Sequence, residues 1–277
     1  MVRATGSGAG CGSNWPECNG SVIAFSGSTE AVIEFSHRAT SGLAFLGVVA
    51  LWVWARRQYQ PGNRVRRAAT WAVGFIAVEV LIGAALVTYE WVGDDASVAR
   101  AVVDGFHLVN TLFLLTALTL TAWWAGGGAA VAFRGTEARW LAVGLGAVLV
   151  VAGAGALTAL GDTLFPEATL ADDLSPSSHF LVRLRTIHPI IAVITAGYLL
   201  ALARRYLAWD SRPTSALARL LATLVVVQLL AGVINLALSA PLAMQLIHLL
   251  LADALWIVLV LVAVNVLAAH QREEVSV

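Results

Sequence analysis

"IEFSHRATSGLAFLGVVALWVWARRQ", residues 33–58, is the stretch that decides the fold. It opens on an acid, a histidine and an arginine. It then runs without a charge from Ala39 to Ala55 and closes on Arg56 and Arg57. A stretch of the same design, "IHPIIAVITAGYLLALARRYLAW", returns at residues 187–209, again with a histidine at its head and two arginines near its foot. Each is long enough at 1.5 Å per residue to cross ~30 Å of hydrocarbon.

The neighbours of the two stretches repeat as well. The first is followed by "VEVLIGAALVTYE" at 78–90 and "FHLVNTLFLL" at 106–115. The second is followed by "VVQLLAGVINLAL" at 226–238 and "IHLLLADALW" at 247–256. Each half therefore has a span headed by histidine, a middle span with a glycine four residues after its polar residue (Glu79 and Gly83, Gln228 and Gly232), and a second histidine span. Internal duplication of this kind is common in membrane folds.

Composition agrees. Of 277 residues, 59% are hydrophobic and 12% charged, more apolar sequence than a soluble core of this size requires. Seven spans are predicted, at 31–55, 68–90, 102–125, 138–158, 183–206, 216–238 and 242–268. Their apolar runs are continuous rather than alternating, which excludes a barrel. In lipid only helices then satisfy the backbone, so the expected class is an all-α integral membrane protein. The net charge is zero, and no basic cluster lies free of the membrane segments, so no nucleic-acid partner is expected.

Every basic residue is arginine, and the arginines set the orientation. Arg56, Arg57, Arg64, Arg66 and Arg67 follow the first span, Arg134 and Arg139 the third, and Arg204, Arg205, Arg212 and Arg219 the fifth. The opposite connections carry Glu90, Asp94 and Asp95, then Asp162, Glu167, Asp172 and Asp173. The arginine-rich side is therefore expected to be cytoplasmic, with the C-terminus inside and residues 1–30 outside, in a bacterial-type cell membrane. Cys11 and Cys18 then face an oxidising compartment, where a disulfide is favoured.

The second half has one further helix, 138–158, ahead of its histidine span. The repeat thus predicts two four-helix bundles, residues 1–130 with an outer cysteine loop at 1–30, and residues 131–277. The first helix of the N-terminal bundle is then expected to be missing from the sequence as it stands, through a start of translation upstream of Met1 (the favoured reading), a trimmed chain or a true loss.

Four of the six histidines, His37, His107, His188 and His248, fall inside spans, five to seven residues from the outer end. That is about 9 Å deep at helical rise. Two pairs of imidazoles at matched depth suit two haem irons, each clamped from both faces. Zinc, which takes four ligands, suits pairs less well. Glu34 shares a helix face with His37, whereas Arg185 takes the equivalent place before His188. Such a carboxylate either snorkels to the boundary or serves as proton acceptor or charge stabiliser at one iron site. The second use implies different tasks for the two sites. Arg38, Arg183 and Arg185 are candidate propionate partners, with head-group anchoring the alternative. His179 and His270 lie away from that depth and are read as bystanders.

With "VRATGSGAGCGSNWPECNG" at 2–20, Glu-x-x-His-Arg at 34–38, "FHLVN" at 106–110 and "QLIHLLLADALW" at 245–256, the chain resembles the haem A synthase family over essentially its whole length. The resemblance implies an eight-helix protein of two bundles that oxidises a porphyrin methyl of haem O to a formyl group by successive hydroxylations. Water is the implied oxygen source, and the product is haem A for cytochrome oxidase. It implies haem O on His37 and His107, a haem b cofactor on His188 and His248, Glu34 as the catalytic carboxylate, and Cys11–Cys18 as a disulfide. Pro189 stands where the first half has Arg38, which weakens propionate pairing there. Implied partners are haem O synthase as donor, a membrane electron acceptor such as quinone, cytochrome oxidase assembly factors and a second copy of the chain. The alternatives are a dihaem b-type cytochrome carrying electrons from quinol to a partner, and a transporter or haem-handling protein without turnover. Glu34 and the cysteine loop separate these, because a pure electron carrier needs neither.

Overall fold

The computed structural model describes residues 1–21, 27–209 and 211–275, without the side chains of Leu170 and 269–275; His270 falls among the latter. Among the described residues the chain is all-helical apart from an isolated bridge between Cys18 and Ser21. The helices are α1 (Thr29–Gln58), α2 (Arg64–Thr88), α3 (Val98–Ala125), α4 (Gly135–Leu164), α5 (Leu170–Leu174), α6 (Phe180–Leu184), α7 (Ile187–Leu207), α8 (Arg212–Ala237) and α9 (Leu242–Val275). Two short 3-10 turns, Arg3–Thr5 and Ser7–Ala9, precede them.

Seven segments are long and apolar enough to cross a membrane, and they follow the predicted order. Most begin earlier than expected because the polar end residues are helical too. Hydrophobicity marks where lipid begins, while the helix runs on until its caps. Ser28 accepts the Ala31 N–H at the start of α1, and Asn63 accepts the Val65 N–H at the start of α2. Apolar side chains such as Leu43, Leu46, Trp71, Leu81, Ile194, Val233 and Leu250 are 62% to 69% exposed. On a soluble surface that would be a liability; around spanning helices it is the lipid-facing side.

The fifth span departs from a single helix. It breaks at Arg185–Thr186 into α6 and α7. Pro189 has no N–H for the Arg185 carbonyl, so it sits in the first turn of a new helix instead of continuing the old one.

The chain forms two compact units, one of residues 1–114 and 152–188, the other of 115–151 and 189–277. In the first, α1 packs on α2, and Ala101, Leu160 and Leu181 form a buried cluster. In the second, α8 packs on α9. There Leu199, Leu202 and Tyr206 of α7, Leu221 and Val225 of α8, and Leu255, Leu259, Val262 and Val266 of α9 interlock at three- and four-residue spacing. Glu137 is tied to this core by the Tyr206 hydroxyl at 2.7 Å and by the Arg205 guanidinium.

Candidate functional site

The first unit assembles its polar centre on the opening turns of α1. Glu34 lies there with its side chain only 3% exposed. Its Oε2 accepts the backbone N–H of Cys11 at 2.8 Å. Its Oε1 accepts Arg38 Nη2 at 2.5 Å and Nε at 3.2 Å, a charge-assisted fork one helical turn away. Arg38 Nη1 also reaches the carbonyls of Asn14 at 3.0 Å and Glu17 at 2.7 Å. Thus Glu34 and Arg38 are both committed to the cysteine loop of residues 11–18.

That loop is closed by a disulfide between Cys11 and Cys18. Both cysteines are buried and pack on Ala31 and Phe35. Within the loop the Asn19 N–H donates to the Cys11 carbonyl at 3.1 Å, and Asn19 Nδ2 donates to the Gly10 carbonyl at 3.1 Å. Gly10 lies flat against the first turn of α1. A Cβ there would overlap the Glu30 backbone, so only glycine permits the approach.

His37, one turn after Glu34, is exposed. Residues three apart differ by about 60° around a helix, enough for one to enter the loop interface and the other to stand at its edge. On α3 of the same unit, His107 is half-buried, and its Nδ1 meets Glu79 Oε2 of α2. Glu79 Oε1 accepts Asn110 Nδ2 at 2.8 Å and Thr111 Oγ1 at 2.9 Å. Each of the two predicted imidazoles of this unit has a carboxylate at hand, Glu34 one turn before His37 on the same helix and Glu79 against His107.

His188 closes the first unit; a Cβ on Gly155 would stand 3.0 Å from its Cε1. Arg185 pairs with Asp162 at 3.0 Å and Asp173 at 3.5 Å, and Arg183 is exposed. In the second unit, Gln228 Nε2 lies 3.3 Å from His248 Nε2, and a Cβ on Gly232 would stand 3.2 Å from the His248 Cε1. Asp253 Oδ1, further along α9, has no hydrogen-bond partner among the described residues. His179 accepts the Leu181 N–H at 3.4 Å and lies in tilted ring contact with Phe165 and Phe180. Arg3, which the sequence did not single out, donates to Thr163 Oγ1 at 3.1 Å.

Glu79 is a neighbour of His107 that the sequence alone did not pair with it. Its signal was present, because it and Gln228 occupy corresponding places in the repeat. Nothing in one dimension, however, says which histidine a middle-span side chain meets. Among the described residues no three His, Cys, Asp or Glu side chains converge as a metal cage. An exposed imidazole and a half-buried one, His37 and His107, are a donor pair that suits a flat iron porphyrin, so these residues of the first unit fit that group.

A family model described as cytochrome oxidase assembly protein, COX15-CtaA, matches residues 25–260. A protoheme IX farnesyltransferase of Thermus thermophilus is 51% identical over 278 residues, 96% of this chain; the chain spans only 45% of that relative's length. A heme A synthase of Lysinibacillus sphaericus is 40% identical over 89 residues, 32% of this chain and 29% of the relative. A heme A synthase of Bacillus licheniformis is 34% identical over 124 residues, 44% of this chain and 39% of the relative.

Proposed function

Because the chain belongs to the COX15-CtaA family of cytochrome oxidase assembly proteins, we propose that this multi-pass membrane protein makes haem A, oxidising a methyl group of haem O to a formyl group. The net change adds the oxygen of one water and releases four electrons and four protons. Membrane quinone is the acceptor class, and two quinones balance the electrons. Oxygen addition proceeds by successive hydroxylations, which makes the protein an oxidoreductase.

The observation that carries this reading is the buried Glu34 one turn from His37. His37 and His107 hold the substrate iron. Glu34 is the catalytic group, taking protons released at the reacting carbon. Arg38 keeps that carboxylate oriented, and the Cys11–Cys18 loop lies over it from the outer side. His188 and His248 hold haem b, which when bound supplies a one-electron relay. The outer loop faces away from the cytoplasm, and the C-terminus lies inside.

The donor of haem O is a protohaem-farnesylating enzyme. Support comes from the Thermus relative of that name, to which nearly all of this chain aligns.

The test is expression of the protein in membranes supplied with haem O, followed by extraction of haem. Accumulation of haem A is expected, and Glu34→Ala should abolish it. A preparation that binds haem and passes electrons from quinol without forming haem A would overturn the reading in favour of a dihaem cytochrome.

A further inference from the structure

The two halves of the chain repeat each other, yet they differ at one polar cluster. In the first unit, Glu79 Oε1 takes hydrogen bonds from Asn110 and Thr111, and Asn110 Nδ2 also donates to the Phe75 carbonyl at 3.0 Å. With Oε1 so occupied, Oε2 is turned to His107 Nδ1. In the second half the residue matching Glu79 is Gln228. The residues three and four after His248, which match Asn110 and Thr111, are Leu251 and Ala252. The acid and both donors that steady it are therefore all absent from that half of the duplication. Gln228 meets its histidine at Nε2, whereas Glu79 meets His107 at Nδ1.

The chemistry of the Glu79 arrangement is specific. A carboxylate at Nδ1 takes the N–H there and fixes the tautomer that leaves Nε2 as the lone-pair nitrogen. It also gives the ring more anionic character, as carboxylates hydrogen-bonded to metal-bound histidines do. A more electron-rich ligand stabilises the oxidised iron over the reduced one. An amide at the same place supplies no charge.

Resting on the assignment of His107 as an iron ligand, we propose that Glu79 is a positioning residue that fixes the His107 tautomer and lowers the reduction potential of the haem held in the first unit. Asn110 and Thr111 are the props that aim it. The duplicated histidine sites are thereby made chemically unequal, the first one tuned to stay oxidised.

The experiment uses the full-length protein in membranes or detergent, loaded with haem, and reads midpoint potentials by spectroelectrochemical titration. The first-unit potential is the one that His107→Ala abolishes. Glu79→Gln, which keeps shape and removes charge, should shift that reduction equilibrium tenfold toward the reduced form, ~59 mV for one electron, and leave the other potential in place. Glu79→Asp keeps the charge but draws it back, and should shift the same potential in the same direction by less. If Glu79→Gln does not accumulate, Glu79→Asp alone must still move that potential. Haem retained with an unchanged first potential in the variants overturns the proposal while leaving the function intact. Equal shifts of both potentials overturn it too, by making Glu79 a structural residue. If His107→Ala abolishes neither potential, the ligand assignment fails and the proposal with it.

Discussion

Glu34 and Cys11 are joined by a 2.8 Å hydrogen bond from the backbone N–H of a disulfide cysteine to a carboxylate 3% exposed. The acid in the first turns of α1 thus spends one oxygen on the cysteine loop and the other on Arg38. The loop orients the carboxylate, and the carboxylate in turn anchors the loop.

Glu34→Ala removes the acceptor of both groups. The buried Cys11 N–H is then left unpaired, at about 1–3 kcal/mol before relaxation, while Arg38 keeps only its bonds to the Asn14 and Glu17 carbonyls. A lower thermal midpoint in detergent is expected alongside the loss of haem A. Glu34→Gln retains an oxygen for the Cys11 N–H and should recover much of the stability without the conversion. A Glu34→Gln protein that converts haem O at the normal rate would refute the proton-accepting role.

Cys11→Ser with Cys18→Ser opens a loop of eight residues, whose closure restricts the unfolded chain by roughly 2–3 kcal/mol in the chain-entropy account. Reduced thermal stability is expected, together with faster proteolysis within residues 1–21. Addition of a thiol reductant to the natural chain should reproduce both effects; resistance of the loop to protease after reduction would count against them.

Gly155 and Gly232 leave room for the rings of His188 and His248, with imagined Cβ atoms at 3.0 and 3.2 Å. An alanine at either position displaces the neighbouring imidazole by a few tenths of an ångström. The low-spin electron paramagnetic resonance signal of the b-type haem should shift in both variants, with larger loss of that haem for valine. Unaltered spectra in Gly155→Val and Gly232→Val would remove these histidines from the iron.

Tyr206→Phe serves as a control in the second unit. It deletes the 2.7 Å hydrogen bond to Glu137 at a fully buried position, costing about 1 kcal/mol. Haem spectra and conversion should stay unchanged while the unfolding midpoint falls.

Asp172 caps the short helix α5, and its carboxyl is held below the ordinary value by the Thr169 backbone N–H and then by the Thr169 hydroxyl. A depressed folded pKa stabilises above the unfolded value near 3.8 and loses that contribution as pH falls through the lowered one. Protection of the 169–175 amides, taken relative to intrinsic exchange, should therefore fall only below about pH 4. Asp172→Asn should remove that loss of protection; a loss near neutral pH would contradict the cap.

Hydropathy and the repeat were enough to read seven spans in order, because apolar length is a one-dimensional property set by the bilayer. The break at Arg185–Thr186 was not read as such, although Pro189 was visible. A proline near the head of a span permits either a kink or a fresh helix start, and packing decides between them. Glu34 and His37 were legible as a pair by spacing. That Arg38 would grip Asn14 and Glu17 was not, since more than 20 residues of chain separate them.

By itself, then, the sequence determined the helical class, the duplication, and the positions of the histidines and Glu34, since each follows from periodicity and composition. Tertiary structure alone decided their partners: Cys11 for Glu34, Glu79 for His107, Gln228 for His248, and two aspartates for Arg185. A side chain's partner depends on which helix faces are brought together and at what rotation. Helix spacing fixes the face a residue occupies on its own element, but not the element packed against that face.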